Sequence, residues 1–424
     1  MAKPDHSTSK ATGSRLITWR LVMFLLGMAL VEASRTLTMV QVPVYLREQG
    51  ANIREIGLFF TIALVFPLIL RILGGWFSDS VGRLRALTIG SITGALAYLA
   101  YTLAPTWRVA LIGPALLAVA VALVFPSYKA YIADHSTEHA RGRLFGIAEA
   151  VIAVAWIIGP PIGGFLAENL GYSWMFATAA LAFAASGFIF FSLHITRDPS
   201  LDPVTSKPTL LSLRGSLAEM LPLLISGGLI TWVLITDGVR DVAFKLSFEL
   251  MPVYLSDIAN MSKQTIGLLD GIFGISIACT LVLAGWLVDK TSERLAVVLG
   301  LGFVIASRLV FAIAQTFAGF AVSWSLLGIG AGLFDPAYGS LIAKGVPSRL
   351  RGITFGLVVT SLGIISLPSP WIGSQIWTHF GPKAPFFTTV VIGTLAIIPA
   401  WLKLVPPEKL SEAQQPETDA NDVP

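Results

Sequence analysis

The chain is a succession of long apolar stretches separated by short polar turns, and that pattern leaves few folds open. Splitting its 424 residues at the turns gives twelve spans, at roughly 17–45, 55–78, 84–103, 108–133, 142–168, 173–195, 221–255, 264–288, 294–315, 318–343, 352–378 and 384–404. About 20 apolar residues in helical form cross the hydrocarbon core of a bilayer, and only helices or closed barrels satisfy every backbone group there. Barrel strands would be short and alternating, which these runs are not. The 13% charged and 54% hydrophobic residues give about half the charge usual in a soluble domain. The expectation is an all-α polytopic membrane protein with twelve transmembrane helices embedded in the lipid bilayer.

An even number of spans puts both ends of the chain on one side of the membrane. Loops on that side carry 18 Lys and Arg; the opposite loops carry only Arg47, Arg54, Arg108, Lys263 and Lys383. By the positive-inside rule both termini are cytoplasmic, in a cell (inner) membrane or an internal membrane derived from it. The net charge of +4 is then a matter of topology, and no nucleic-acid partner is implied. Residues 1–16 read as a polar cytoplasmic segment without a signal peptide, 196–220 as a cytoplasmic linker, and 406–424 as an acidic tail of disordered composition. A single cysteine, Cys279, excludes an intrachain disulfide.

The spans repeat. At a shift of 210 positions Gly75 meets Gly285, Asp79 meets Asp289, Pro126 and Tyr128 meet Pro336 and Tyr338, Arg141-Gly142 meets Arg351-Gly352, and Pro160 and Gly163 meet Pro370 and Gly373. Near the start the shift is 209, pairing Pro43-Val44-Tyr45-Leu46 with Pro252-Val253-Tyr254-Leu255. Two pseudo-symmetric six-helix bundles, 17–195 and 221–405, follow, related by an axis along the membrane normal. That arrangement places a site for a small solute or ion at the midplane between them. One chain supplies both halves, so a functional monomer is expected.

Gly75-Trp-Phe-Ser-Asp79-Ser-Val-Gly82-Arg83 reads as a tight polar turn between spans two and three. Its Gly-x3-Asp-x2-Gly-Arg pattern resembles the loop 2-3 signature of the major facilitator superfamily, and Gly159-Pro160-Pro161-Ile162-Gly163-Gly164 in span five resembles that superfamily's antiporter signature. Two departures stand beside the likeness: the arginine many drug antiporters carry in span four is absent (Ile112-Gly113-Pro114-Ala115), and the leading Gly of the antiporter motif is Ala155. The resemblance implies secondary transport by alternating access, with spans one and seven lining the cavity. It also implies a latch in which Asp79 caps the start of span eleven near Arg351, Arg83 meets Asp134, and Asp289 with Arg294 forms a weaker counterpart lacking Gly82. Gly159 and Pro160 would bend span five, with Gly163 and Gly164 admitting a close neighbour.

Charges inside membrane helices are costly and mark site hypotheses. Glu32 and Arg35 share one face of span one; Asp237, Arg240, Asp241, Lys245 and Glu249 recur at three- and four-residue spacing in span seven, and the repeat sets Asp241 opposite Glu32. Lys129 in span four and Asp335 in span ten break the symmetry of matching stretches, their equivalents being Gly339 and Phe125, which favours solute contact; Tyr338, matched by Tyr128, is a weaker candidate because a buried tyrosine usually packs with its hydroxyl satisfied. The bland alternative is intrahelical pairing, Asp237 with Arg240 and Asp241 with Lys245, and for Lys129 snorkelling to the interface. Glu32, Asp237 or Asp241 is the candidate carrier of a coupling proton, since a carboxyl group out of water holds its proton more readily. Acid-rich span seven with Glu32 also resembles magnetosome-associated members of the superfamily, which implies iron or another divalent cation as alternative cargo. A non-transporting receptor or scaffold is a third reading. No nucleophile elbow, Walker loop, HExxH or Cys pair appears; an enzyme and a bound cofactor are not expected.

Overall fold

The structure, a computed structural model, describes residues 18–136, 138–196, 227–346, 358 and 361–405. The linker, both tails and Arg351-Gly352 lie outside these residues. Among the described residues ten helices are long and apolar enough to cross a membrane. They correspond to the expected spans except seven and eleven; span eleven is described in part, its last piece being Ser369–Phe380.

Spans one and seven are not continuous helices, which corrects the sequence expectation. Span one runs Trp19–Met39 and restarts as Val42–Glu48; span seven runs Leu229–Ser247 and restarts as Leu250–Asp257. Each restart holds a proline, Pro43 or Pro252, in the first turn of its second piece. A first-turn N–H has no helical acceptor in any case, so proline costs nothing there while excluding the preceding turn. The polar turn at Gly75 is a second correction. Span two is helical from Ile53 to Val81 and span three begins at Arg83, so only Gly82 leaves the helix, at a φ of 95° that glycine adopts without strain.

Each half has its own core, and the repeat is visible in how the cores are built. Tyr45 meets Phe176 edge-on at 5.0 Å, and Tyr254 meets Phe386 edge-on at 5.5 Å. A Cβ at Gly163 would collide with the carbonyl of Leu37, and one at Gly373 with the carbonyl of Leu246. These glycines let span five lie on span one, and span eleven on span seven, at backbone distance.

The same logic joins the halves. Span five runs as one helix, Glu138–Asn169, through both Pro160 and Pro161, so the expected bend motif does not end it. A helical proline has no N–H for the carbonyl four residues earlier, which leaves the Trp156 and Ile157 carbonyls without a helical donor. Gly274 and Gly271 of span eight, Lys263–Lys290, lie against those two carbonyls. The double proline is a docking strip for a glycine face, and close Cα–H contacts there are individually small. Further along, Gly267 abuts Pro160 and Gly164; the equivalent Gly57 of span two abuts Pro370 and Ser374 of span eleven.

Candidate functional site

Three layers carry the charged residues, taken here from the centre outward. In the centre each half holds an acid–arginine pair three residues apart on its broken helix. Arg35 donates to both oxygens of Glu32, at 3.0 and 3.1 Å, and Glu32 is 1% exposed. In span seven Arg240 Nε lies 2.6 Å from Asp237 Oδ1. Each guanidinium covers an aromatic ring of the facing span: Arg35 lies 5.0 Å from the Phe125 centroid, and Arg240 lies 4.9 Å from Phe334 and 5.9 Å from Tyr338. Tyr338 also donates to Thr236 Oγ1 at 3.3 Å. One turn on, Lys245 donates to Asp241 at 2.8 Å and to Ser366 of span eleven at 2.9 Å. The intrahelical pairs foreseen as the bland alternative, Asp237 with Arg240 and Asp241 with Lys245, are therefore present, and the first sits against the rings of span ten.

Lys129 is exposed on span four, apart from these pairs. The side chains of Gly75, Asp79, Asp289 and Asp335 lie outside the described set. A cavity of about 170 Å³ opens beside the span-one pair. Arg35, Phe59, Phe60, Tyr98, Tyr101 and, from the break in span seven, Glu249 line it. In the sequence Glu249 is one charge among five; its position after Ser247, where the helix stops, is what turns it into a cavity wall. Among the described residues no three His, Cys, Asp or Glu side chains come together as a metal site.

The end of the bundle remote from the termini, called distal below, is closed by ionic contacts between the halves. Arg47 pairs with Asp257 at 2.6 Å. Lys263 is a hub for the other half: its ammonium meets Glu48 at 2.8 Å and the face of Tyr172 at 4.4 Å, its N–H donates to Glu168 at 2.8 Å, and its carbonyl accepts from Gln41 at 2.9 Å. Arg54 donates to His379 at 3.2 Å, beside an open crevice of about 700 Å³ between the start of span two and the end of span eleven.

At the opposite end, among the described residues, Arg83 and Glu293 each meet a partner of their own half. Arg83 lies 3.7 Å from Asp134, as the resemblance implies. The expected counterpart, Asp289 with Arg294, falls on a side chain outside the described set; Arg294 donates to the Trp401 carbonyl at 3.3 Å and covers the Trp401 ring at 4.3 Å. Glu293 pairs with Lys344 at 2.9 Å and accepts from Ser340 at 2.8 Å. Shifted by 210, Arg83 is Glu293 and Asp134 is Lys344, so the second half keeps the pair with its charges exchanged.

The family model described as Major Facilitator Superfamily matches residues 24–237 and 238–423. The chain belongs to the major facilitator superfamily. Within that superfamily it is 25% identical over 413 residues to "Multidrug resistance protein MdtG" of Klebsiella pneumoniae (strain 342), covering 95% of this chain and 97% of the relative. It is 24% identical over 399 residues to "Multi-drug resistance efflux pump PmrA homolog" of Lactococcus lactis subsp. lactis (strain IL1403), covering 91% and 95%. A "Quinolone resistance protein NorA" of Staphylococcus aureus (strain MSSA476) is 27% identical over 240 residues, 55% of this chain and 58% of that one. Among solved structures the fold is shared with a peptide transporter POT at TM-score 0.71 and 15% identity, covering 93% of this chain and 95% of that one. It is shared likewise with a D-xylose-proton symporter at TM-score 0.70 and 16% identity, covering 91% and 97%. As a superfamily member the chain is a multi-pass membrane transporter.

Proposed function

We propose that the chain is a proton-coupled exporter of small amphipathic solutes in a cell membrane, with both termini cytoplasmic and one chain as the working unit. The observation that carries this reading is the paired arrangement at the centre: two acid–arginine pairs, each held against an aromatic ring of the facing span. A carboxylate that gains a proton releases its arginine, and a released arginine can move off the ring it covers. Proton binding at Glu32, Asp237 or Asp241 therefore changes both the charge and the apolar surface offered to a solute. The aromatic cavity beside Arg35 suits a flat, partly apolar molecule, in keeping with relatives named for multidrug efflux. Closure at the distal end corresponds to a state that faces the cytoplasm, the side from which an exporter loads. Glu32, Asp237 and Asp241 are each matched by a cation, which favours an organic solute over a bare divalent cation.

The test is efflux of a fluorescent amphipathic dye from everted vesicles or proteoliposomes under an imposed pH gradient. Glu32→Gln and Asp241→Asn are expected to abolish gradient-driven movement while dye binding to purified protein persists. Unchanged gradient-driven transport in both variants sinks the coupling assignment, and uptake of metal ions in place of every organic probe sinks the solute class.

A further inference from the structure

Arg308 of span nine is fully buried. Its Nε donates to Ser247 Oγ at 3.1 Å, and neither Nη1 nor Nη2 has a hydrogen-bond partner. Its other compensation is the Phe244 ring, at the long distance of 5.9 Å, and among the described residues no carboxylate pairs with it. A buried charge is ordinarily paired as well as hydrogen-bonded, so this position lacks an anionic group.

The repeat says what kind of place this is. Arg308 is the equivalent of Tyr98, and Ser247 of Thr38; the Thr38 hydroxyl bonds Tyr98 at 3.1 Å just as Ser247 bonds Arg308. Tyr98 and Thr38 are walls of the 170 Å³ cavity of the first half. Where that cavity has Met39, Ala63 and Pro114, the second half has the larger Phe248, Phe273 and Trp324, the last two buried, and Phe60 is matched by the buried Asp270, which forms no ion pair with Arg308 among the described residues. Phe248 stacks on Phe244 at 4.4 Å and sits in the break of span seven, the one filler carried on a discontinuous helix. Phe248 also lies 6.4 Å from the Phe273 ring, so a reorientation of the two pieces of span seven that withdrew Phe248 would leave the guanidinium facing Phe244 and Phe273.

We propose that Arg308 is the anion-binding group of a second subsite, in the C-terminal half, which takes a monoanionic group in the other state of the transport cycle. Its two free NH2 groups match a carboxylate in the forked geometry arginine favours; a small inorganic anion offers the same charge. The solute-borne carboxylate rests on the transport reading above, and the free anion does not.

Two measurements on the purified full-length chain separate these sources. The first compares thermal unfolding in chloride with that in gluconate. The second titrates a fluorescent quinolone carboxylic acid against its ethyl ester, which share a ring and differ in charge. If the solute supplies the anion, wild type binds the acid more tightly than the ester, and Arg308→Met loses tenfold or more on the acid and nothing on the ester. If a free ion supplies it, chloride stabilises wild type and Arg308→Lys but not Arg308→Met. Ser247→Ala, which releases the Nε anchor, should weaken either effect with the charge retained, and covers the case in which Arg308→Met does not fold. The proposal is overturned if wild type, Arg308→Met and Ser247→Ala respond alike to chloride and discriminate alike between acid and ester. Failure of every probe to bind, together with chloride insensitivity, overturns both this subsite and the amphipathic-solute reading; loss of discrimination alone leaves that reading standing.

Discussion

Gly267 offers a way to move the conformational equilibrium without touching a charge. A Cβ added there meets the carbonyl of Pro160 and the Cα of Gly164, both in the other half, and the equivalent Cβ at Gly57 meets Ser374 and the carbonyl of Pro370, again across the seam. Each added methyl meets its nearest atoms across the seam, so the strain exists only while the distal ends are together. Overpacking of this kind costs about 1–3 kcal/mol, and a difference of that size changes a two-state ratio by about 5- to 150-fold. Gly267→Ala should therefore shift the protein toward the distally open state by that factor. Gly267→Ala with Gly57→Ala should multiply the two effects, since the sites share no partners. Spin labels at Gln49 and Lys383, which flank the distal crevice, in a Cys279→Ser background would read the distance distribution by pulsed electron resonance. Gly163→Ala is the contrasting control: its collision is with Leu37 of the same half, so it should lower thermal stability and leave the ratio nearly unchanged. An unchanged distribution in Gly267→Ala, or a shift in Gly163→Ala equal to it, would show that the glycine seam does not govern closure.

Other outcomes follow from the ionic layers. Glu293 has a 5% exposed side chain, so Glu293→Lys should cost about 3–5 kcal/mol by leaving like charges against Lys344. Adding Lys344→Glu should restore most of it, read as recovery of the unfolding midpoint. Lys263→Met removes the ammonium from Glu48 and Tyr172 but leaves the backbone bonds to Glu168 and Gln41. It should open the distal end less than Gly267→Ala does in the same spin-label experiment. Glu249→Gln should change affinity for cationic dyes several-fold while leaving neutral dyes alone, measured by fluorescence titration, because Glu249 adds the break-side charge to the aromatic cavity.

Much of this was legible in the residues, for reasons that also explain what was not. Apolar length fixes helices, and the 210-residue shift fixes two halves, because both are properties of the chain rather than of contacts. The Arg83–Asp134 pair was readable through the Gly75 signature. Its counterpart Glu293–Lys344 lies at the same shift but shares no residue type with it, since the repeat keeps the pair and exchanges the signs. The breaks after Met39 and Ser247 are invisible to hydropathy because the chain stays apolar across them; only Pro43 and Pro252 mark them. Gly57 and Gly267 were equivalent in sequence, yet glycine in a membrane helix says nothing until a facing carbonyl is in place. The orphaned Nη groups of Arg308 depend on what neighbouring spans fail to supply, which no local pattern records.

The exchanged charges have a physical reason. At the distal end the second pieces of the two broken helices meet across the pseudo-axis, and Arg47 of one contacts Asp257 of the other, so opposite charges make closure there attractive. Within the halves, Arg83–Asp134 and Glu293–Lys344 satisfy themselves equally well, but a span three from one half paired with a span four from the other would set Arg83 against Lys344 or Glu293 against Asp134. The sign exchange thus opposes misassembly between equivalent pieces, at no cost to either correct pair. It predicts that exchanging all four charges at once, Arg83→Glu, Asp134→Lys, Glu293→Arg and Lys344→Asp, preserves the fold and its unfolding midpoint, whereas Arg83→Glu alone lowers it; equal losses in both would mean that these positions are read by something other than each other.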